Sequence, residues 1–467
     1  MTGLLIEILL VINILVFIYF LIVNGSYITL IILSYFQVRD SKEKENIFEL
    51  SGLFGTTLYP SASILAPAFN EELSIIESTR SLLNLNFSDY EVIVINDGSK
   101  DRTLEKLISH FELKEMERHV PFRIDTAPIK AIYGSRKHPN LIVVDKENGR
   151  KADALNAGIN VSRKDLIFAV DSDSLLEANV LKKMLIAFTL DQETIAVGGV
   201  VRVANGCTFR HGVVEKVSVP KSVIGRIQAV EYLRSFLFGR TSWDYLDSLL
   251  IISGAFGVFD REMVIRVGGY LHDTVGEDME LVVRMHRYCR DHDIPYKIRF
   301  LPEPVCWTEV PESWSALGRQ RNRWQRGLAD TLFRHRGMFM NPKYGRLGFF
   351  AMPFFLFVEL LSPIIELSGY LFFTASLILG IINWPFFLLF FAVCVLLGVV
   401  MSMLAVLLEE LTMKRYERVN DVLILTLYAF LENFGYRQIH SWWRLRGLID
   451  FLRGDKQWGE MTRKKTF

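Results

Sequence analysis

Glu91-Val-Ile-Val-Ile-Asn-Asp-Gly-Ser-Lys-Asp101 is an apolar, β-branched run that stops abruptly in amide, acidic and glycine residues. Such a run reads as a buried strand delivered into a polar loop. Upstream, Ser63-Ile-Leu-Ala-Pro67 repeats the pattern and leads into Ala68-Phe-Asn-Glu-Glu72, followed by a helical pattern through Leu83. Downstream, residues 140–145 and 165–170 are two more apolar runs, the second ending in Asp171-Ser-Asp173. Strands alternating with helical patterns predict an α/β domain with a mostly parallel sheet and helices on both faces. Ligands in such sheets bind at the carboxyl ends of strands. Three predicted strand ends carry Asn70-Glu71, Asp97, and Asp171 with Asp173, and that convergence is the main functional signal.

The rest of the chain has a different composition. Of 467 residues, 50% are hydrophobic and 22% charged, which points to a water-soluble domain joined to a strongly apolar remainder. Aromatic content of 12% rules out disorder. The 53 basic and 52 acidic residues leave a formal charge of +1, so no global field attracts nucleic acid. Cys207, Cys289, Cys306 and Cys394 lack metal-ligand spacing and read as reduced thiols.

No charge occurs between Glu7 and Arg39, a stretch long enough to cross a bilayer as one tilted helix or two short ones broken near Asn24-Gly25. Apolar runs return at 349–382, 386–408 and 422–434, with Pro363 dividing the first into a hairpin or two segments. Basic stretches at 414–418 and 437–453 favour the cytosolic side. Glu359, Glu366, Glu409, Glu410 and Glu432 are costly at such depths. They are expected to face a protein interior or a watery path, or, for Glu409 and Glu410, the interface at helix ends. Glu359 and Glu366 share a face if Pro363 leaves the helix intact.

Asp171 and Asp173, one residue apart after a strand, suit a hard cation such as Mg²⁺ or Mn²⁺ shared with substrate phosphates. Ala66-Pro-Ala-Phe-Asn-Glu-Glu72, Ile95-Asn-Asp-Gly-Ser-Lys-Asp101, Asp171-Ser-Asp173, Gly276-Glu-Asp278 and Gln320-Arg-Asn-Arg-Trp324 follow one another in the order that resembles inverting family-2 glycosyltransferases. The Gln-x-x-Arg-Trp element and flanking apolar segments are similar to the processive branch, which includes cellulose, hyaluronan and poly-N-acetylglucosamine synthases. The resemblance implies a GT-A-type fold with an α-helical transmembrane region.

It also implies roles. Ala68, Asn70, Glu71 and Asp97 would receive the uridine of a nucleotide-sugar, with Asp101 capping the next helix. Lys151 would contact the nucleotide portion. Asp173 would hold the metal, with Asp171 contacting donor or metal. Glu277, Asp278 and Glu280 compete for general base on the residues alone, and the resemblance assigns the role to Asp278. Ser253 and Gly254, in Ile252-Ser-Gly-Ala-Phe-Gly257, would line the acceptor, although many relatives carry Cys where Ser253 stands. Gln320 and Trp324 share one helical face for the acceptor sugar, and the Arg323 fork suits a diphosphate. Trp458-Gly-Glu-Met-Thr-Arg463 resembles a gating loop, so Trp458 and Arg463 would reach the donor.

The expected layout is an N-terminal transmembrane segment at 1–39 and a cytosolic GT-A domain at 40–304. Amphipathic interfacial helices at 305–346, transmembrane helices at 347–436 and a cytosolic tail at 437–467 complete it. The expected protein is a multi-pass enzyme of the plasma (inner) membrane with a cytosolic catalytic domain. It would extend a β-linked polysaccharide from a nucleotide-sugar, most simply a UDP-sugar, and pass the polymer through the bilayer. Two other readings are a non-processive enzyme that adds one sugar to a lipid or polyprenyl phosphate, and a transporter or channel with a degenerate cytosolic domain.

Overall fold

The computed structural model describes residues 2–50, 59–172, 174–210, 213–380 and 384–455. Its strands are β1 (Ala62–Ala68), β2 (Tyr90–Asp97), β3 (Leu113–Glu115), β4 (Ile129–Ser135), β5 (Leu141–Lys146) and β6 (Leu166–Val170). They continue with β7 (Leu175–Leu176), β8 (Thr194–Val203), β9 (Thr208–Arg210), β10 (Val213–Lys216), β11 (Phe256–Asp260) and β12 (Lys297–Thr308). Ten form one sheet in the order β3-β4-β5-β2-β1-β6-β11-β8-β12-β7, and β9 pairs with β10.

The block β5-β2-β1-β6 is parallel, as the alternation of strands and helices predicts. Antiparallel strands extend it on one side through β4 and β3 and on the other through β11, which pairs with β6 and β8. β2 is buried along its whole length, which explains its uninterrupted apolar run. The helix Arg150–Val161 packs on β1 and β2, and Val180–Leu190 packs on β8 and β12. The domain boundary read at residue 304 falls inside β12. Its register against β8 shifts between Leu301 and Val305, where Pro302 lacks a ladder donor.

The N-terminal apolar run forms one uninterrupted helix, Thr2–Leu50. Within it, Leu10–Glu43 is long and apolar enough to cross a membrane. Leu347–Leu360 and Ser362–Ile378 make a second span only if taken together, bent by 41° at Leu361, with Pro363 in the first turn that follows. Trp384–Phe391, Ala392–Leu396 and Leu397–Thr412 follow as consecutive helical segments, and Val419–Leu431 is a shorter apolar helix.

Glu359, Glu366, Glu409 and Glu432 in these segments have protein partners. Glu359 accepts a bond from Tyr27 Oη (2.8 Å) and pairs with Arg444. Glu366 pairs with Arg437 at 2.8 Å and accepts from Ser441 Oγ at 2.6 Å. The two carboxylates, seven residues apart, thus meet two arginines at the same spacing on the helix Tyr436–Leu452. Of the two positions expected for Glu409, the protein interior is the one found: it is buried against Arg202 of β8 at 2.6 Å, tying a membrane-region helix to the catalytic sheet. Glu432 is likewise buried, with Arg234 and Ser402 as partners.

Asp244 joins the N-terminal helix to the domain by accepting a hydrogen bond from Gln37. It is 1% exposed, and burial pushes its pKa up to about 7, against the pull of Arg299 and with Asp247 adding to the rise. Because the folded value lies above the unfolded one, its contribution is complete below about pH 4 and lost as pH rises through about 7. Asp244→Asn should therefore raise the melting temperature at pH 8 and leave it nearly unchanged at pH 4. The upper limit is about 4 kcal/mol, from three pKa units at about 1.4 kcal/mol each. Equal shifts at both pH values in thermal melts would contradict this account.

Candidate functional site

Because β1, β2 and β6 are parallel neighbours, their ends bring Asn70, Asp97 and Asp171 to one edge of the sheet. The first two loops are interlocked. Asn70, at φ 55°, donates its N–H to Ser99 Oγ (3.1 Å), and its Oδ1 accepts from the Lys100 N–H (2.8 Å). The Glu71 N–H donates to Thr103 Oγ1 at 2.8 Å. Asp101 accepts the N–H groups of Glu72 (3.1 Å) and Thr103 (3.0 Å), which matches its expected place at the next helix start. Ala68 ends β1 beside this loop.

Asp97 is held by donors of its own chain. Its buried carboxylate accepts from Lys146 Nζ (2.8 Å), the Gly149 N–H (2.9 Å), the Arg150 N–H (2.8 Å) and Asn148 Nδ2 (3.1 Å). These bonds fix the turn that launches the helix carrying Lys151. Lys146 is fully buried and also pairs with Asp153. The signal for it was a lysine closing an apolar strand, a position that is costly unless paired.

Lys151 begins the chemical cluster. Its Nζ pairs with Asp171 and donates to the Gly254 carbonyl at 3.0 Å. The Gly254 N–H donates to Asp278 Oδ2 at 2.9 Å, and the Met279 N–H to Oδ1 at 2.8 Å. A Cβ at Gly254 would lie 3.2 Å from Lys151 Nζ and 3.3 Å from Asp278 Oδ2, so this glycine lets both groups converge. Burial opposes the charge on Lys151, but Asp171, Glu277 and Asp278 outweigh it and raise its pKa. Burial also pushes Glu277 up, against the pull of Lys151. Arg323 is held down by burial while Glu277, Asp171 and Asp278 support its charge.

The structure separates the three acidic residues that compete as base. Glu280 is buried and committed to Arg284 (2.8 Å) and His335 (3.2 Å). Glu277 is buried beside Lys151. Asp278 is half-buried and aimed by two backbone donors, at the start of the helix Glu277–Asp291 where the dipole favours negative charge. That helix meets the helix Trp314–Arg334 by backbone contact. A Cβ on Gly276 would lie 2.7 Å from Gly327 Cα. This contact brings Arg323 to the carboxylates.

Ser253 shapes the turn before β11 by accepting the Phe256 N–H at 3.0 Å. Gln320 keeps a buried Oε1 without a hydrogen-bond partner, and Trp324 is 45% exposed. Asp173, Trp458 and Arg463 lie outside the described residues. The sequence reading missed Arg240, whose guanidinium lies 3.6 Å over the Phe236 ring. Burial lowers its pKa to about 10, partly offset by Asp278. No motif marked it, because only the fold brings residues 240 and 278 together.

Comparison with known proteins follows this geometry. A family model described as Glycosyl transferase family 2 matches residues 63–268, and one described as Glycosyl transferase family group 2 matches 166–408. Poly-beta-1,6-N-acetyl-D-glucosamine synthase of Staphylococcus aureus is 27% identical over 329 residues, 70% of this chain and 66% of the relative. The Staphylococcus epidermidis protein of that name is 27% identical over 58% of this chain and 55% of its own length. The chain thus spans just under two thirds of the first of these relatives. A solved mannosyltransferase from Pyrobaculum calidifontis, in complex with GDP-Man and Mn²⁺, covers 90% of this chain and 99% of its own, with a TM-score of 0.50 and 15% identity. That likeness shows a shared fold, in agreement with the GT-A-type domain expected from the motifs. With the second model alone covering more than half of its residues, the chain belongs to the family-2 glycosyltransferases.

Proposed function

We propose that this enzyme is an inverting, membrane-embedded transferase that moves a sugar from a UDP-linked donor to the end of a growing β-linked polysaccharide. The observation that carries the reading is the convergence of Lys151, Asp171 and Asp278 on Gly254. UDP-N-acetylglucosamine is the first donor to test, because the staphylococcal relatives are named for a polymer of that sugar. The helix Leu10–Glu43 supports a membrane position, and exit of the polymer past the apolar C-terminal segments is part of the same proposal.

In this mechanism Asp278 takes the acceptor hydroxyl's proton as its oxygen attacks the anomeric carbon from the side opposite the nucleotide. The Gly254 and Met279 N–H groups hold the carboxylate in place for that transfer. Lys151 and Arg323 neutralise the departing diphosphate, and their neighbouring carboxylates keep both positively charged before the donor arrives. Asp171 is a half-buried hard oxygen ligand and fits Mg²⁺ or Mn²⁺. With Asp173 it would hold the ion, whose chemistry is further charge neutralisation at the diphosphate. Among the described residues no group of three or more His, Cys, Asp or Glu stands ready to hold a metal, so donor oxygens would complete the shell. Gln320 and Trp324 would receive the acceptor sugar, and Trp458 and Arg463 the donor.

The test is a screen of the full-length protein in detergent against UDP-N-acetylglucosamine, UDP-glucose and UDP-glucuronate, following UDP release and product size. Release that requires Mg²⁺ or Mn²⁺ and yields ladders or long polymer supports the proposal. A single-sugar product on a lipid acceptor would favour the non-processive reading. Absence of release with every donor would reject the transferase mechanism.

A further inference from the structure

Trp324 and Arg321 form an arrangement that neither motif nor mechanism explains. Residues 320, 323, 324 and 327 share one face of the helix Trp314–Arg334, and Gly327 on that face touches Gly276 beside the catalytic carboxylates. Trp324 therefore stands one turn from that contact, nearly half exposed. Arg321 covers one side of it, with its guanidinium 4.2 Å from the indole centroid. Arg321 itself is 3% exposed and pairs at 2.5 Å with Glu231, from the separate helix Val223–Tyr232.

This pair is an expensive way to fill space. Arg321 has Tyr436 as a further polar neighbour, and its buried Nε and Nη1 make no well-formed hydrogen bond. Apolar residues of the same volume often stabilise a protein as well as such a pair or better. A planar guanidinium anchored at its far end does supply orientation, because it stacks flat on an aromatic face. With one face covered and the residue still exposed, the remaining indole surface is held open.

We propose that Glu231 and Arg321 are a positioning pair that presents the open face of Trp324 to the terminal sugar of the acceptor, and so governs how long the product stays engaged. The proposal rests on the transferase reading of this site. Arg321 touches neither donor nor reacting atoms; it acts through the indole.

Arg321→Lys keeps the charge facing Glu231 and removes the planar fork. With UDP-N-acetylglucosamine and a β-1,6-linked N-acetylglucosamine trisaccharide, the full-length variant should show an acceptor KM raised about tenfold and shorter products. Donor KM and kcat at saturating acceptor should stay within about twofold of wild type. Trp324→Ala should give the same acceptor defect, and adding Arg321→Lys to it should cost nothing more. A second readout needs no turnover. The fluorescence difference between each protein and its Trp324→Phe partner reports Trp324, and acrylamide should quench it more strongly in Arg321→Lys. If Arg321→Lys is not monodisperse, Glu231→Gln serves in the same comparisons with the same expected outcomes.

Unchanged acceptor KM together with unchanged quenching would overturn the proposal, as would losses that add to those of Trp324→Ala. A parallel fall in kcat and in affinity for both substrates would show a general structural role and also overturn it. If the wild type releases no UDP from any donor, the transferase mechanism fails instead, and the quenching comparison alone decides the positioning pair.

Discussion

Asp278→Asn should nearly stop transfer, with kcat falling by about 10²–10⁴ while donor KM changes little. The amide retains the size of the carboxylate but cannot take the acceptor's proton. Both carboxylate oxygens accept backbone N–H bonds, from Gly254 and Met279. The amide nitrogen must then face one of these donors, which should cost about 1–3 kcal/mol of stability. Thermal melts separate this modest cost from the catalytic loss. Glu277→Gln, at the buried neighbour, is the control and should slow the reaction much less. Initial rates of UDP release decide the matter: if Asp278→Asn stays within about tenfold of wild type, Asp278 is not the general base.

Gly276→Ala should be the most damaging change of a residue that performs no chemistry. The added methyl would sit 2.7 Å from Gly327 Cα and 3.0 Å from its carbonyl carbon. Both are backbone atoms, so no rotamer change relieves the contact and the two helices must separate. Overpacking of this kind costs about 1–3 kcal/mol. The same displacement moves Arg323 away from Asp278, and misplacement by about 1 Å can cost a hundredfold in rate. Gly276 has φ −127°, outside the left-handed region that favours glycine, so the argument rests on the contact. Melting temperature and kcat should fall together; wild-type values for both would show that the helices have slack.

The legible parts of the site were those where neighbours in sequence share a strand end. Asn70 and Asp171 follow buried runs, and parallel pairing places them together. Asp97 was legible as a strand-end carboxylate but its internal partners were not, because its donors come from residues 146–150, a separate segment. Glu280 and Asp278 lie on one helix two residues apart. Only packing shows that His335 and Arg284 occupy the first while backbone N–H groups aim the second. Glu409 stayed open between a protein interior and the interface, because its partner Arg202 is 207 residues away.

By itself the sequence determined the parallel block of strands, the acidic strand ends and the separation of apolar segments from the catalytic domain. Hydrophobic periodicity and strand-end chemistry are local, and local patterns survive in a linear chain. Tertiary structure alone decided which carboxylates are committed to ion pairs, which lysine is paired, and how Gly276 meets Gly327. It also placed Arg321 between Glu231 and Trp324. These depend on burial and on contacts across long separations, which set both the energy of a charge and its availability for chemistry.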